Sequence, residues 1–290
     1  MLTIFTPTYN RKELLTVAYK KLCVQTDKRF IWMIVDDGST DGTAQIVEDW
    51  KRENILQISY YYKENGGKMR AYNYGVTKCT TDLFICVDSD DYMQEDAVET
   101  IYITWENAKK ESYFSSLAGI VAYYKCINDT NIQDSNIFPN VRYSTLRNLY
   151  KLGYSGETAL VFRTDILKQY LFPEIFGETF IPESVIYDQI DNQYQLLVLP
   201  RVLTTGSYQD DGLTNSIKAL RRDNPRGWLL HYQIKINITP CSVLRYKYIA
   251  HAICFSWQIH ESIFHQVPAA KLEILLCIPG SIILRLMRKL

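Results

Sequence analysis

Three carboxylates fall within four positions at Asp88, Ser89, Asp90 and Asp91, directly after the apolar run Leu83-Phe84-Ile85-Cys86-Val87. Like charges this close repel one another, and a hard divalent cation is what makes such a cluster favourable. Mg²⁺ and Mn²⁺ suit oxygen ligands, and Mg²⁺ is often held by one or two carboxylates plus phosphate oxygens. The plainer alternative is a solvated acidic turn that opens the next helix. Three more polar clusters close apolar runs: Thr6-Pro7-Thr8-Tyr9-Asn10, Asp36-Asp37-Gly38-Ser39-Thr40-Asp41 and Asn65-Gly66-Gly67-Lys68. Asp37 can accept from a base N–H or a ribose hydroxyl. Lys68 can neutralise phosphate, and Gly66-Gly67 lets backbone approach it. No Gly-X-Gly-X-X-Gly and no Walker loop accompanies them, which argues against NAD and P-loop chemistry.

The elements that must position these clusters alternate in kind. Leu2 to Pro7, Phe30 to Val35, Ile58 to Tyr62 and Leu83 to Val87 read as strands. Helical stretches separate them, the first carrying Leu14, Leu15, Ala18 and Leu22 on one face, with Asn10 and Glu13 expected as a capping box. Right-handed crossovers turn such an alternation into a doubly wound, mostly parallel sheet, which makes the fold class α/β. All four polar clusters then emerge on one rim, at the carboxyl ends of the strands, where open α/β sheets bind ligands.

Composition adds bounds. In a chain of 290 residues, 32 Lys and Arg balance 32 Asp and Glu, so the formal net charge is zero and gives no drive toward nucleic acid. The seven cysteines show no Cys-X-X-Cys spacing. With no secretory leader read at the N-terminus, they read as reduced thiols of a cytoplasmic protein. Nothing here specifies an oligomeric state.

The segments Thr-Pro-Thr-Tyr-Asn-Arg, Val-Asp-Asp-Gly-Ser-Thr-Asp-Gly-Thr, Asn-Gly-Gly-Lys-Met-Arg-Ala-Tyr-Asn-Tyr-Gly and Val-Asp-Ser-Asp-Asp occur in that order over the first hundred residues. Together they resemble the family 2 inverting glycosyltransferases of GT-A fold, of the bacterial polysaccharide type. The resemblance implies a mixed, mostly parallel sheet and a hexosyltransferase-like reaction using a nucleotide-sugar donor, UDP-linked above all. It also implies Mn²⁺ or Mg²⁺ as cofactor, and a saccharide or lipid-linked saccharide acceptor. It places Thr6, Pro7, Thr8, Tyr9, Asp37, Asn65, Lys68, Asp88, Ser89 and Asp91 around the nucleotide sugar, with Asp37 on the base. Asp90, with Asp88, is the metal ligand. The alternative within the fold is a catalytically inactive nucleotide-sugar-binding or scaffold protein. A sugar nucleotidyltransferase is disfavoured, because its Gly-rich phosphate loop is missing.

Beyond Asp91 the pattern predicts a helix from Glu95 to about Lys110, a strand from Ala118 to Cys126, and a loop from Asn128 to Asn140. Strands are expected at Thr158–Thr164, Tyr194–Leu199 and Val202–Tyr208. An inverting transfer needs a carboxylate to take the acceptor's proton. Many relatives carry a Glu-Asp pair for this in their second half, and here Ile181-Pro182-Glu183-Ser184 stands in its place, with serine where aspartate is expected. Glu183 is therefore the candidate base, with Glu178 and Asp188 as rivals. Residues 1–210 read as the GT-A domain, with a nucleotide-binding half (1–93) and an acceptor-binding half (94–210), and 211–290 as a helical C-terminal extension. The final stretch, Leu272 to Leu290, is too short to span a bilayer, and Pro279-Gly280 is expected to break it. Its basic end, with Arg285, Arg288 and Lys289, suits either a core helix or a peripheral contact with the inner membrane face.

Overall fold

The computed structural model describes residues 1–127, 137–206 and 217–287. The chain divides into two compact units: Met1–Leu171 with Gln193–Gln209, and Phe172–Asn192 with Asp210–Leu290. The expected loop at Asn128–Asn140 lies largely outside the described residues, as does the segment from Gln209 to Thr214.

The first unit opens with β1 (Leu2–Thr8), α1 (Lys12–Cys23), β2 (Phe30–Asp36), α2 (Thr43–Glu53), β3 (Ile58–Tyr62), α3 (Lys68–Lys78) and β4 (Leu83–Cys86). There follow β5 (Asp91–Met93), α4 (Ala97–Ala108), β6 (Leu117–Cys126), β7 (Tyr143–Ser144), α5 (Leu146–Lys151), β8 (Thr158–Arg163), α6 (Thr164–Leu167) and, after an excursion into the second unit, β9 (Gln195–Gly206). The sheet runs in the order β3-β2-β1-β4-β8-β6-β9-β5, with β7 paired to β9. The first four strands in this order are parallel; β8 enters antiparallel between β4 and β6, so the sheet is mixed. Period-two side chains explain why helices cover both faces. Leu2, Ile4, Trp32, Ile34, Leu83 and Ile85 join one core with Leu15 and Leu22 of α1 and Val47 of α2, where Tyr19 stacks on Trp50 at 4.4 Å. On the other face Phe5 meets Phe84 and Tyr72 of α3. That helix approaches so closely that a Cβ on Gly75 would lie 2.4 Å from the Phe5 ring.

Three local expectations are corrected. Asn10 does not cap α1: it takes a positive φ of 51° and accepts from Thr40 N at 2.8 Å, and Asp41 accepts from Lys12 N at 2.9 Å. A cap reached from the next loop leaves no local capping-box signature. The two strands expected at Tyr194–Leu199 and Val202–Tyr208 are one strand, β9. Its partner register jumps from Ala122↔Leu199 to Tyr123↔Val202, so Pro200 and Arg201 are absorbed as a bulge instead of ending the strand. The third correction lies in the second unit.

That unit comprises α7 (Ser184–Ile190), α8 (Ile217–Asp223), α9 (Pro225–Ile238), α10 (Val243–Gln258), α11 (Ile263–Gln266) and α12 (Lys271–Leu286). Its core joins Trp228, Leu229, Tyr232 and Ile236 to Ile249, Ile253, Phe255, Val267, Ile274 and Cys277. Pro279-Gly280 does not break the last helix: α12 is continuous through Pro279. Ile274, Cys277 and Ser281 hold it to the core on both sides of the proline, and Ser281 Oγ donates to the Cys277 carbonyl at 2.8 Å. Tertiary packing outweighs the one ladder bond that proline removes. No described helix is long and apolar enough to cross a membrane.

Candidate active site

The acidic cluster sits where β4 leaves the sheet. Val87 N still donates to the Phe5 carbonyl at 2.8 Å, and Asp91 N then donates to the Asp88 carbonyl at 3.0 Å, closing a tight turn. This turn gathers one carboxylate oxygen from each of Asp88, Asp90 and Asp91 within 4.8 Å of one another, and it buries Ser89. Two cations answer the charge: Lys68 Nζ lies 2.6 Å from Asp88 Oδ2, and Arg11 Nη1 lies 2.9 Å from Asp90 Oδ2. Asp91 is different. It meets no cation at hydrogen-bond distance among the described residues but accepts from the Tyr124 hydroxyl at 2.9 Å. Burial pushes its carboxyl up to about 7, helped by the negative charge of Asp88, with the Tyr124 hydrogen bond pulling the other way. Opposite Asp91 in the β5–β9 pair stands Gly206. A Cβ there would fall 1.7 Å from Asp91 Oδ1 and 2.2 Å from the Tyr124 hydroxyl, so only glycine lets the carboxylate occupy this place. An all-oxygen set with converging carboxylates fits Mg²⁺ or Mn²⁺, with Asp88, Asp90 and Asp91 as the residues able to hold it.

The other three clusters share the rim. Thr8 of β1 aligns with Asp36 of β2, and Asp36 with Tyr62 of β3, so the three strands end level. Asp36 is fully buried and accepts from Ser39 N and the Tyr60 hydroxyl, each at 2.7 Å. Asp37 is also buried, and its oxygens take Gly67 N at 2.7 Å, Gly66 N at 3.0 Å and the Lys63 ammonium. Its carboxylate thus moulds the 63–67 loop. Gly38, at a φ of 95°, lies so close to that loop that a Cβ would meet Asn65 N at 3.0 Å. The side chain of Asn65 is exposed. Within β1, the Thr6 hydroxyl accepts from Trp32 Nε1 at 3.1 Å, and Pro7 is buried. The Thr8 hydroxyl is buried with no hydrogen-bond partner among the described residues, while Tyr9 is half-exposed. An unsatisfied buried hydroxyl at a ligand-binding rim is a ready contact for a bound polar group.

Four residues at this rim escaped the sequence reading. Arg11 and Lys63 flank the motif loops and carried only the weak signal of a cation beside a carboxylate run. Tyr124 and Gly206 come from β6 and β9, distant in sequence, and nothing local marks them.

Against known families, residues 3–171 match the model of glycosyl transferase family 2. The chain belongs to that family. Among curated relatives, the glycosyltransferase GlyA of Streptococcus pneumoniae serotype 4 is 34% identical over 101 residues, 35% of this chain and 14% of GlyA. The poly(ribitol-phosphate) beta-N-acetylglucosaminyltransferase TarS of Staphylococcus aureus is 25% identical over 176 residues, 59% of this chain and 29% of TarS. The matches therefore span less than a third of either relative's length. Among solved structures, TarS 1–349 in complex with UDP-GlcNAc superposes with a TM-score of 0.61 at 20% identity, over 88% of this chain and 72% of that one. The mannosyltransferase PcManGT of Pyrobaculum calidifontis, in complex with GDP-Man and Mn²⁺, gives 0.55 at 17% identity, over 98% and 80%. The fold is the GT-A fold of these glycosyltransferases.

In this family 2 glycosyltransferase the matched segment ends at residue 171, where the first unit's opening segment also ends. All three candidate bases lie beyond it, in the second unit. Glu178 accepts from Arg226 N at 2.7 Å and Gly227 N at 2.8 Å, satisfying the first amides of α9 in the manner of a cap. Asp188 is buried and pairs with Lys235 Nζ at 2.7 Å. Glu183 occupies the N-cap position of α7 without a side-chain cap bond. Ser184 follows, its hydroxyl 2.8 Å from His231 Nδ1. Burial, foremost, pushes that imidazole down to about 3, so it is neutral and a weak base near neutral pH. The Ser184–His231 pair is thus no substitute for a carboxylate base.

Proposed function

We propose that this glycosyltransferase moves a sugar, with inversion, from a UDP-sugar to an acceptor hydroxyl, using Mn²⁺ or Mg²⁺. The observation that carries the reading is the convergence of Asp88, Asp90 and Asp91 beside Arg11 and Lys68 on the rim that also bears Thr8 and Asp37. Carboxylates and cations in one cluster are what a cation–diphosphate pair requires. Asp90 and Asp88 would hold the metal, which supplies charge stabilisation for the departing diphosphate. Arg11 and Lys68 bring two further positive charges to the same oxygens. The Thr8–Tyr9 segment and the loop moulded by Asp37 face the base and ribose, and Asp91 the donor sugar. Glu183, at the N-cap of α7 beside the place where aspartate is expected, takes the acceptor's proton.

The UDP-GlcNAc bound in the TarS structure supports a UDP-sugar donor, and the GDP-Man and Mn²⁺ of PcManGT support a divalent ion. The poly-beta-1,6-N-acetyl-D-glucosamine synthase of Staphylococcus aureus, 29% identical over 119 residues (41% of this chain and 28% of the synthase), supports a surface polysaccharide as product. A second reading, an inactive nucleotide-sugar-binding protein, is favoured by one feature of the sequence: Ser184 stands where the family resemblance leads one to expect aspartate. UDP release from a panel of UDP-sugars, with Mn²⁺ and saccharide or lipid-linked acceptors, separates the two. Acceptor-dependent release supports transfer. Tight donor binding with no release above the acceptor-free rate contradicts it and supports the second reading.

A further inference from the structure

α12 is apolar on two opposite sides. Its inner side, Ile274, Cys277 and Ser281, is buried in the core of the helical unit. Its outer side carries Leu272, Leu275, Leu276, Pro279, Ile282, Ile283 and Leu286, all exposed, with Leu276 at 64% and Leu286 at 77%. At 100° per residue these seven form a stripe about 120° wide, centred opposite the buried side. A soluble helix places charge there, and large exposed apolar patches mark interaction surfaces. Beside the stripe, Trp257, His260, Ile282, Arg285 and Leu286 line a groove of about 620 Å³.

Charge decides what covers this face. Lys271 and Arg285 are exposed at the two ends of α12, and the helix's one acid, Glu273, is engaged by Arg245 at 3.1 Å. A two-fold partner copy would set these cations against one another, since an isologous contact brings a patch onto itself. An anionic lipid surface meets them with opposite charge. Sixteen residues reach about 24 Å at 1.5 Å per residue, short of a ~30 Å hydrocarbon core, so such a helix lies in the interface. A tryptophan and an arginine in one groove suit the headgroup level, where an indole and a guanidinium are both at home. We infer that the outer face of α12, with the Trp257–Arg285 groove at its end, docks on an anionic phospholipid surface. The inference is independent of the transfer chemistry proposed above.

The test is co-sedimentation of the full chain with phosphatidylcholine vesicles, with and without phosphatidylglycerol. The protein is expected to sediment with the anionic vesicles and to be released by high salt. Leu276→Glu with Ile283→Glu should lower the partition coefficient at least ~tenfold, because two charges must be carried into the interface. The melting temperature and acceptor-dependent UDP release should stay unchanged, since both side chains are exposed. Arg285→Glu should remove the preference for phosphatidylglycerol. The inference is overturned if the protein stays in the supernatant, or if the double variant sediments like wild type. It is equally overturned if sedimentation velocity shows a dimer that the double variant dissolves, which would give the face to a second copy.

Discussion

The two units use carboxylates in opposite ways. At the rim of the sheet, Asp88, Asp90 and Asp91 converge, leave a net demand for positive charge, and lie beside two cations of their own. In the helical unit, Asp188 and Glu178 stand apart, one tied to Lys235 and the other to the first amides of α9. The first arrangement is costly without a ligand. The second is costly to dismantle. A carboxylate's meaning therefore lies in what faces it, which residue type alone does not reveal.

The contrast can be broken most sharply by stability measurements. Asp188→Ala leaves the Lys235 ammonium largely buried without its partner and should cost about 3 kcal/mol in urea unfolding. Asp91→Asn at the rim should change stability by less than ~1 kcal/mol, or raise it, because it relieves repulsion. Similar losses at both positions would erase the distinction. Next in size is Glu183→Gln, which keeps shape and hydrogen bonding but removes basicity. It should lower transfer at least ~100-fold while sparing UDP-sugar binding. Near-normal turnover in that variant would take the role of base away from Glu183.

A smaller effect is expected from Gly206→Ala, where the added methyl displaces Asp91 and Tyr124. Mn²⁺ affinity should fall ~10-fold, as when other supports of a metal ligand are disturbed. An unchanged titration would mean that Asp91 does not act on the metal held by Asp90 and Asp88. The smallest effect is one of pH. Asp91's folded value, near 7, lies above its ordinary one, so its contribution to stability is full below about pH 4 and is lost as pH rises through 7. A bound divalent ion offsets that loss. The rise in melting temperature produced by Mn²⁺ should therefore be larger at pH 8 than at pH 6, and equal rises would contradict it.

What was legible in the sequence follows from the range of the forces involved. β1 to β4 and their helices are contiguous, strongly periodic segments, and α1, α2 and α3 alternate with the strands as the pattern requires. The motif loops are local too, and register alone brings them level. Tyr124 and Gly206 were not legible, because both reach Asp91 through β9, a strand more than a hundred residues from β5 that pairs with β5 on one side and with β6 on the other. The Pro200 bulge and the unbroken α12 were misread for a related reason: proline's local penalty was outweighed by partners elsewhere in the fold. Ser184, which stands where aspartate is expected, lies 2.8 Å from His231 Nδ1, a partner 47 residues away that nothing local marks.

The central claim is that the acidic rim binds a cation together with a nucleoside diphosphate, and calorimetric titration of UDP with and without Mn²⁺ addresses it most directly. In the wild-type protein Mn²⁺ should tighten UDP binding at least ~tenfold, by bridging carboxylate and phosphate oxygens. In Asp90→Ala that enhancement should vanish while the metal-free affinity and the melting temperature stay close to wild type. An enhancement that survives intact in Asp90→Ala would contradict the assignment of the metal to this cluster.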